Sequence, residues 1–166
     1  MKKFIMSYSC GKDSTLALYR MIKKGFKPVA LLVTVNKDEN ISCFHGIPNK
    51  LIEKVAGSLD LPLLLVETSD DDYNECFRSA LRKAKEMYKV DACVFGDIDI
   101  ELHRTWCTDI AKEANLEAIF PLWQCDREEL VYEFIDAGFK AIVKKVRMDC
   151  LGEEYLGKVL TRGIIN

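Results

Sequence analysis

The sequence predicts an α/β protein, a three-layer α/β/α sandwich built on a mostly parallel sheet of five to six strands. Three observations carry this expectation. Short apolar runs alternate with amphipathic runs along the 166-residue chain, as repeated strand–helix–strand units with right-handed crossovers do. Residues 28–35 are apolar almost without interruption, which suits a parallel strand covered on both faces. No linker, low-complexity segment or repeat divides the chain, so residues 1–166 are expected to form a single domain.

The elements follow in order. Residues 3–8 read as a first strand. The first helix carries Ala17, Leu18, Met21 and Ile22 on one face and stops near Gly25. The apolar run 28–35 is the second strand. A polar loop, 36–46, is longer than most strand-to-helix connections, which suggests function or mobility. Pro48 opens a second helix, on which Leu51, Ile52, Val55, Ala56 and Leu59 form an apolar stripe. Residues 61–67 are a third strand. The acidic run Asp70-Asp71-Asp72 suits the start of a third helix, a better account of it than a metal site. That helix buries Tyr73, Cys76, Phe77, Ala80, Leu81 and Ala84. A fourth strand spans 92–95, a fourth helix 103–114, a fifth strand 117–122 and a fifth helix 127–137. Residues 141–146 are expected as a sixth strand and 152–157 as a short helix.

Composition narrows the function. The net charge is −2, so no basic field recruits nucleic acid or anionic lipid, and no stable nucleic-acid partner is expected. No run approaches transmembrane length, and no signal peptide or membrane partner is expected. The seven cysteines are scattered, odd in number and without a Cys-x-x-Cys pair. This argues against a disulfide framework and a zinc ribbon, and a reducing cytoplasmic location is expected.

Ligands of parallel sheets bind outside the carboxyl ends of the strands. The chemistry is therefore expected in residues 7–14, 34–46, 69–72, 96–104 and 121–127. The first of these is Ser7-Tyr8-Ser9-Cys10-Gly11-Lys12-Asp13-Ser14. It joins the first strand to the first helix and combines hydroxyls, a Gly and a Lys at a helix N-terminus, which suits a phosphate. Met6 and Asp13 stand where a Walker P-loop needs Gly and Ser or Thr, and the spaced glycines of the dinucleotide fingerprint are missing. Cys10 gains a lowered thiol pKa if the helix N-terminus acts on it, though a small-residue replacement is the reading preferred here. Gly96, Asp97, Asp99, Glu101, His103 and Arg104 form a second cluster. Its carboxylates are candidates for Mg²⁺ and its Arg for a phosphate or carboxylate; a solvated loop capping the fourth helix is the alternative. Cys43 and His45 lie in the long loop, His45 as an ATP contact, an acid–base group or a surface residue. Trp123 and Arg127 follow the fifth strand.

Ser9-Cys10-Gly11-Lys12-Asp13-Ser14 resembles the PP-loop, Ser-Gly-Gly-Lys-Asp-Ser, of ATP pyrophosphatases. The His45 loop, Phe95-Gly96-Asp97-Ile98 with Arg104, Pro121-Leu122-Trp123 with Arg127, and Glu129-Leu130 through Ala137-Gly138-Phe139 to Ala141-Ile142 extend the resemblance through most of the chain. Together they resemble the ATP-binding domain of the diphthine–ammonia ligases, within the adenine nucleotide alpha hydrolase superfamily and its Rossmann-like HUP-type fold. Two positions depart from the family: Cys10 replaces the usual Gly, and Asp97 the common Ala. The Gly/Glu-rich extension usual in the family is expected to be absent.

The resemblance implies ATP and Mg²⁺ as cofactors. It implies ATP contacts from Ser7, Ser9, Cys10, Gly11, Lys12, Asp13, Ser14, Thr34, His45, Gly96 and Asp97. It gives catalytic roles to Lys12, Asp13 and Arg104, and Mg²⁺ ligation to Asp13 and Asp97. The implied reaction joins ammonium to a carboxylate, in this family that of diphthine on elongation factor 2, through an acyl-adenylate. A superfamily enzyme with another acceptor, such as a tRNA base to be thiolated, and a non-catalytic ATP- or AMP-binding module stay open as alternatives. So does a homo-oligomer.

Overall fold

In the computed structural model, which describes residues 1–165, the longest apolar run becomes the longest strand. Strand β2 is Lys27–Asn36 and is buried from Ala30 to Val35. It lies beside β1 (Lys3–Ser7), whose three central residues are fully buried. Beyond β2 lies β4 (Leu63–Thr68), and on the other side of β1 come β5 (Ala92–Val94) and β6 (Glu117–Ile119), all parallel. The parallel order is thus β4-β2-β1-β5-β6. The chain builds outward from β1 through β2 to β4, then returns to start β5 on the opposite side. The reversal falls between β1 and β5, the place where such sheets open a crevice for ligand.

The pleat sends alternate side chains to opposite faces. Ile5, Ala30, Leu32, Val66 and Cys93 bury one face with Phe77, Leu81 and Ala84 of α3 (Tyr73–Tyr88) and Ile110 and Ala111 of α4 (Glu101–Glu113). Phe4, Met6, Leu31 and Val33 bury the other. The buried residues of α1 (Lys12–Lys23) and α2 (Asn49–Ser58), among them Leu16, Met21, Ile52 and Ala56, belong to that layer. The three-layer α/β/α sandwich read from the sequence is the one observed.

Several expectations are corrected. The 36–46 loop contains a short strand, β3 (Ile41–Ser42), antiparallel to β2 at Val35 and Asn36. It takes the edge of β2 just beyond the end of β1: the Leu32 carbonyl accepts from the Tyr8 N–H and the Thr34 carbonyl from the Cys43 N–H. Ile22 and Leu51, placed on buried stripes, are each 48% exposed. Each lies about 100° around its helix from the neighbour that does face the sheet, Met21 and Ile52. Asp72 occupies the N-cap position of α3 without bonding its backbone; its Oδ1 accepts instead from the Ser69 N–H at 2.7 Å.

The chain resolves into two compact units, Met1–Gln124 and Cys125–Asn166, of which Asn166 lies outside the described residues. The second contains α5 (Arg127–Asp136), capped by Asp126, whose Oδ1 accepts from the Glu129 N–H at 2.9 Å. The expected sixth strand at 141–146 is not part of the sheet. Ile142 makes one antiparallel bridge with Val159, and Val143 bonds Lys158 and Gly157 of the same unit. The expected helix at 152–157 is a single 3₁₀ turn, Glu153–Tyr155, and a short helix α6 (Arg162–Ile165) follows it. Arg162 joins α6 to α5 by donating to Asp136 and lying 4.5 Å from the Tyr132 ring centroid.

Candidate functional site

The loop after β1 is shaped by its own hydroxyls. The Ser9 N–H donates to Ser14 Oγ at 3.2 Å, and the Ser9 and Ser14 hydroxyls lie 3.1 Å apart. The Gly11 N–H donates to Ser9 Oγ, while Ser14 Oγ and Thr15 Oγ1 both donate to the Gly11 carbonyl. Tyr8 braces the turn from below, its phenol 2.8 Å from Thr15 Oγ1. Burial pushes that phenol up to about 12, so it stays a neutral hydroxyl. These bonds leave the start of α1 open. Its N-cap is Gly11, which has no side chain with which to cap the first turn. First-turn N–H groups at a helix N-terminus are an anion site by their own dipoles.

Cys10 takes a left-handed backbone, φ 61°. Glycine enters that region freely and a side chain enters it at a cost, which gives the Gly of the related loops a physical reason. Burial raises the Cys10 thiol to about 11. The shift runs opposite to the lowering that a helix N-terminus suggests, because burial disfavours the thiolate. Lys12 and Asp13 form an ion pair, Nζ to Oδ1 at 2.6 Å, with each side chain about one-third exposed (35% and 36%). Asp13, the one anion in a loop built for anions, is thereby matched by a cation.

Two other strand ends close on this loop. A methyl on Gly96 would sit 3.1 Å from the Ser14 Cα and N, tighter than ordinary packing. Gly96 thus follows β5 so that the switch-point strand can pass directly against the first turn of α1. A methyl on Gly11 would lie 2.6 Å from His45 Nε2, so the long loop carries its His back over the phosphate loop. Asn36 starts that loop, its Oδ1 accepting from the Asp38 and Glu39 N–H groups. Asn40, His45 and Gly46 then turn it with left-handed backbones. Ser42 pins the turn, donating to the Phe44 carbonyl and accepting from the Ile47 N–H. Thr34 is buried behind it, its hydroxyl 3.4 Å from the Tyr73 phenol. Cys43 has its sulfur 3.3 Å from the Thr68 hydroxyl.

Asp97 follows Gly96 and is held by α4. Its carboxylate lies 3.5 Å from His103 Nδ1 and accepts from the Cys107 thiol at 3.7 Å. Arg104 stacks on two aromatic rings, 4.7 Å from the Trp123 centroid and 5.7 Å from that of Phe120. Trp123 is therefore a platform for Arg104. Asp97, Asp99 and Glu101 do not converge as a three-ligand cation site, and no group of three acidic, His or Cys residues does so among the described residues. Asp72 belongs to a structural turn. The Ser69 N–H, helped by Lys37, holds its carboxyl at about 2.

Of the proposed site residues, the structure brings Ser9, Gly11, Ser14, His45 and Gly96 together directly. Asp13 and Asp97 are chain neighbours of the Gly96–Ser14 contact. Ser7 is the last residue of β1, and Thr34 lies one position before the buried Val35 near the end of β2. Sequence reasoning missed Ser42 and Cys107 as supports. Each makes its bonds inside a turn or across a helix face whose geometry no local pattern announces.

A parallel sheet with an uncapped helix N-terminus at its switch point, a Ser-x-Gly-Lys-Asp-Ser loop and a glycine packed against it define a PP-loop domain of the adenine nucleotide alpha hydrolase class. Comparison with known proteins narrows this. Residues 1–118 match the family described as the diphthamide synthase N-terminal domain, and the chain belongs to that family. It is similar to the diphthine–ammonia ligase of Rattus norvegicus, 27% identical over 173 residues that cover 92% of this chain and 65% of the relative. It is also similar to that of Schizosaccharomyces pombe, 28% identical over 92% of this chain and 28% of the relative. The chain therefore spans less than two-thirds of these relatives. A crystal structure described as a predicted subunit of tRNA methyltransferase from Methanocaldococcus jannaschii shares the fold. It superposes with a TM-score of 0.59 at 16% identity, covering 89% of this chain and 81% of that one. No helix of the described residues is long and apolar enough to cross a membrane.

Proposed function

We propose that this domain binds ATP and catalyses ATP-dependent amide formation in the manner of diphthine–ammonia ligases. The observation that carries the reading is the packing of Gly96 onto Ser14, which puts the switch-point strand beside an uncapped, anion-receptive helix start. In this reading a carboxylate oxygen of the substrate attacks the α-phosphorus of ATP. The bond to the bridging α–β oxygen breaks and pyrophosphate leaves. Ammonia then attacks the carbonyl carbon of the acyl-adenylate, a proton is lost from its nitrogen, and AMP departs with the bond electrons, leaving an amide.

The protein's share is positioning and charge. Lys12 and the first-turn N–H groups of α1 neutralise the β and γ phosphates and the departing pyrophosphate. Ser7, Ser9, Cys10, Gly11 and Ser14 line the cradle, with Thr34 and His45 on its β2 side. Arg104, pre-oriented on Trp123, meets the carboxylate or the α-phosphate. Asp13 and Asp97 would hold Mg²⁺, and a pair of carboxylates completed by phosphate oxygens is a donor set that suits this ion. When bound, it would supply charge neutralisation to the triphosphate. Diphthine is the carboxylate that the relatives' names suggest, and the family resemblance implies that it is carried on elongation factor 2.

The test incubates the protein with ATP, Mg²⁺, ammonium and carboxylates of this class and separates the nucleotide products. AMP and pyrophosphate formed in proportion to amide are expected. ADP and phosphate as products would overturn the reading.

A further inference from the structure

We propose that the open edge of β4 and the neighbouring face of α3 form a two-fold interface with a second copy of this chain. Among the described residues, strand β4 has a hydrogen-bonded partner on one side only, β2. Its Pro62 and Thr68 carbonyls accept from Leu31 and Lys37 on the β2 side. Backbone groups alternate in direction along a strand, so those of Leu63, Leu65 and Glu67 point to the open side. The edge runs Leu63-Leu64-Leu65-Val66 before the exposed Glu67 and the buried Thr68, with no Lys or Pro, so one charge at its end is all that blunts it. Beside it runs a groove of about 590 Å³ lined by Leu63–Glu67 and by Glu75, Cys76, Ser79, Ala80, Lys83 and Met87. Met87 is 64% exposed there.

Self-complementarity selects the occupant. A two-fold axis at Leu65 pairs Leu63 with Glu67 of the copy, so all three outward-facing residues exchange hydrogen bonds and one sheet continues through both chains. The same axis lays the two α3 helices antiparallel. Centred on Ser79, that arrangement sets Glu75, four residues before, opposite Lys83 of the copy, four residues after, and does so twice. The small side chains Cys76, Ser79 and Ala80 lie between these charges and allow the helices to approach. Glu75 already pairs with Arg78 on its own helix, with its side chain 69% exposed, and Lys83 has no ionic partner among the described residues. The contact therefore gives Lys83 a counter-charge.

Sedimentation equilibrium across a concentration series tests this on the intact chain. The wild type is expected to reach twice its 19.0 kDa mass. E75K, which sets like charges opposite each other at two places, should weaken the dimer about tenfold or more, and the double reversal E75K/K83E should restore it. S79R, exposed and central, should give monomers with unchanged circular dichroism. A wild type that stays monomeric at every concentration overturns the proposal. So does a dimer unmoved by both E75K and S79R, or one that the double reversal does not restore.

Discussion

At the residue scale, Cys10 shows two forces meeting in one side chain. Its φ of 61° is a glycine-like backbone, and its burial raises the thiol to about 11. Alkylation proceeds through the thiolate. At pH 8 the thiolate fraction at Cys10 is about one in a thousand, and it rises about tenfold per pH unit up to its pKa. Iodoacetamide at pH 8 is therefore expected to modify the exposed Cys43 and Cys150 first, with Cys10 reacting only as the pH climbs toward 10. Peptide mapping by mass spectrometry reads the order, and Cys10 labelled at pH 8 as fast as Cys150 would contradict its burial. The same shift has a sign for stability. The folded thiol keeps its proton above the ordinary 9.0, where the unfolded thiol has lost it. The contribution is whole below 9 and is lost as pH rises through 11. The motif itself was legible in the sequence because it is local. The φ of its second residue was not, since that conformation comes from how the loop is tied to β2 and α1.

At the element scale, the five principal helices end alike. A left-handed residue stands within two positions of each end: Gly25, Asp60, Asn115 and Gly138 follow one cap residue, and Lys89 follows α3 directly. Gly and Asn are the common solutions, since they meet little penalty there. Gly25 marked its helix end in the sequence for this reason. Lys89 could not, because a Lys after Tyr88 reads as one more helical residue. Its φ of 54° and the bond from its N–H to the Lys85 carbonyl show a C-terminal cap built from a residue ill-suited to it. Lys89→Gly is expected to stabilise the protein by about 0.5–1 kcal/mol, the strain relieved exceeding the flexibility added to the unfolded chain. A urea titration checks this, and a midpoint lowered by the substitution would refute it. The strands show the same division. Continuous apolar runs announced β1, β2 and β4. The two-residue β3 left no pattern, because it forms only where the end of β1 leaves an edge of β2 exposed to be paired.

At the scale of the whole molecule, the parallel class and the meeting of strand ends could be read from the alternation of runs. The strand order could not, since it depends on which crossovers pack best. Yet the order β4-β2-β1-β5-β6 is what gives the site its logic. It makes β1 and β5 neighbours at the reversal, and so places Gly96 against Ser14 from 82 positions away in the chain. If this contact is the floor of an ATP site, ATP binds the folded state alone and should stabilise it. At a hundred times the dissociation constant the gain is about 2.7 kcal/mol. For a chain of this size that amounts to a rise in melting temperature of roughly 5–10 °C. Two variants separate the causes. Lys12→Ala removes a charge that is about one-third exposed, so it should melt near the wild type without ATP and lose most of the ATP-dependent rise. Gly96→Ala drives a methyl to 3.1 Å from backbone. It should lower the melting temperature before any ATP is added, at a cost of about 1–3 kcal/mol, and also blunt the rise. An ATP-dependent shift of full size in both variants, measured by differential scanning calorimetry with Mg²⁺ present, would move the nucleotide away from the β1–β5 crevice.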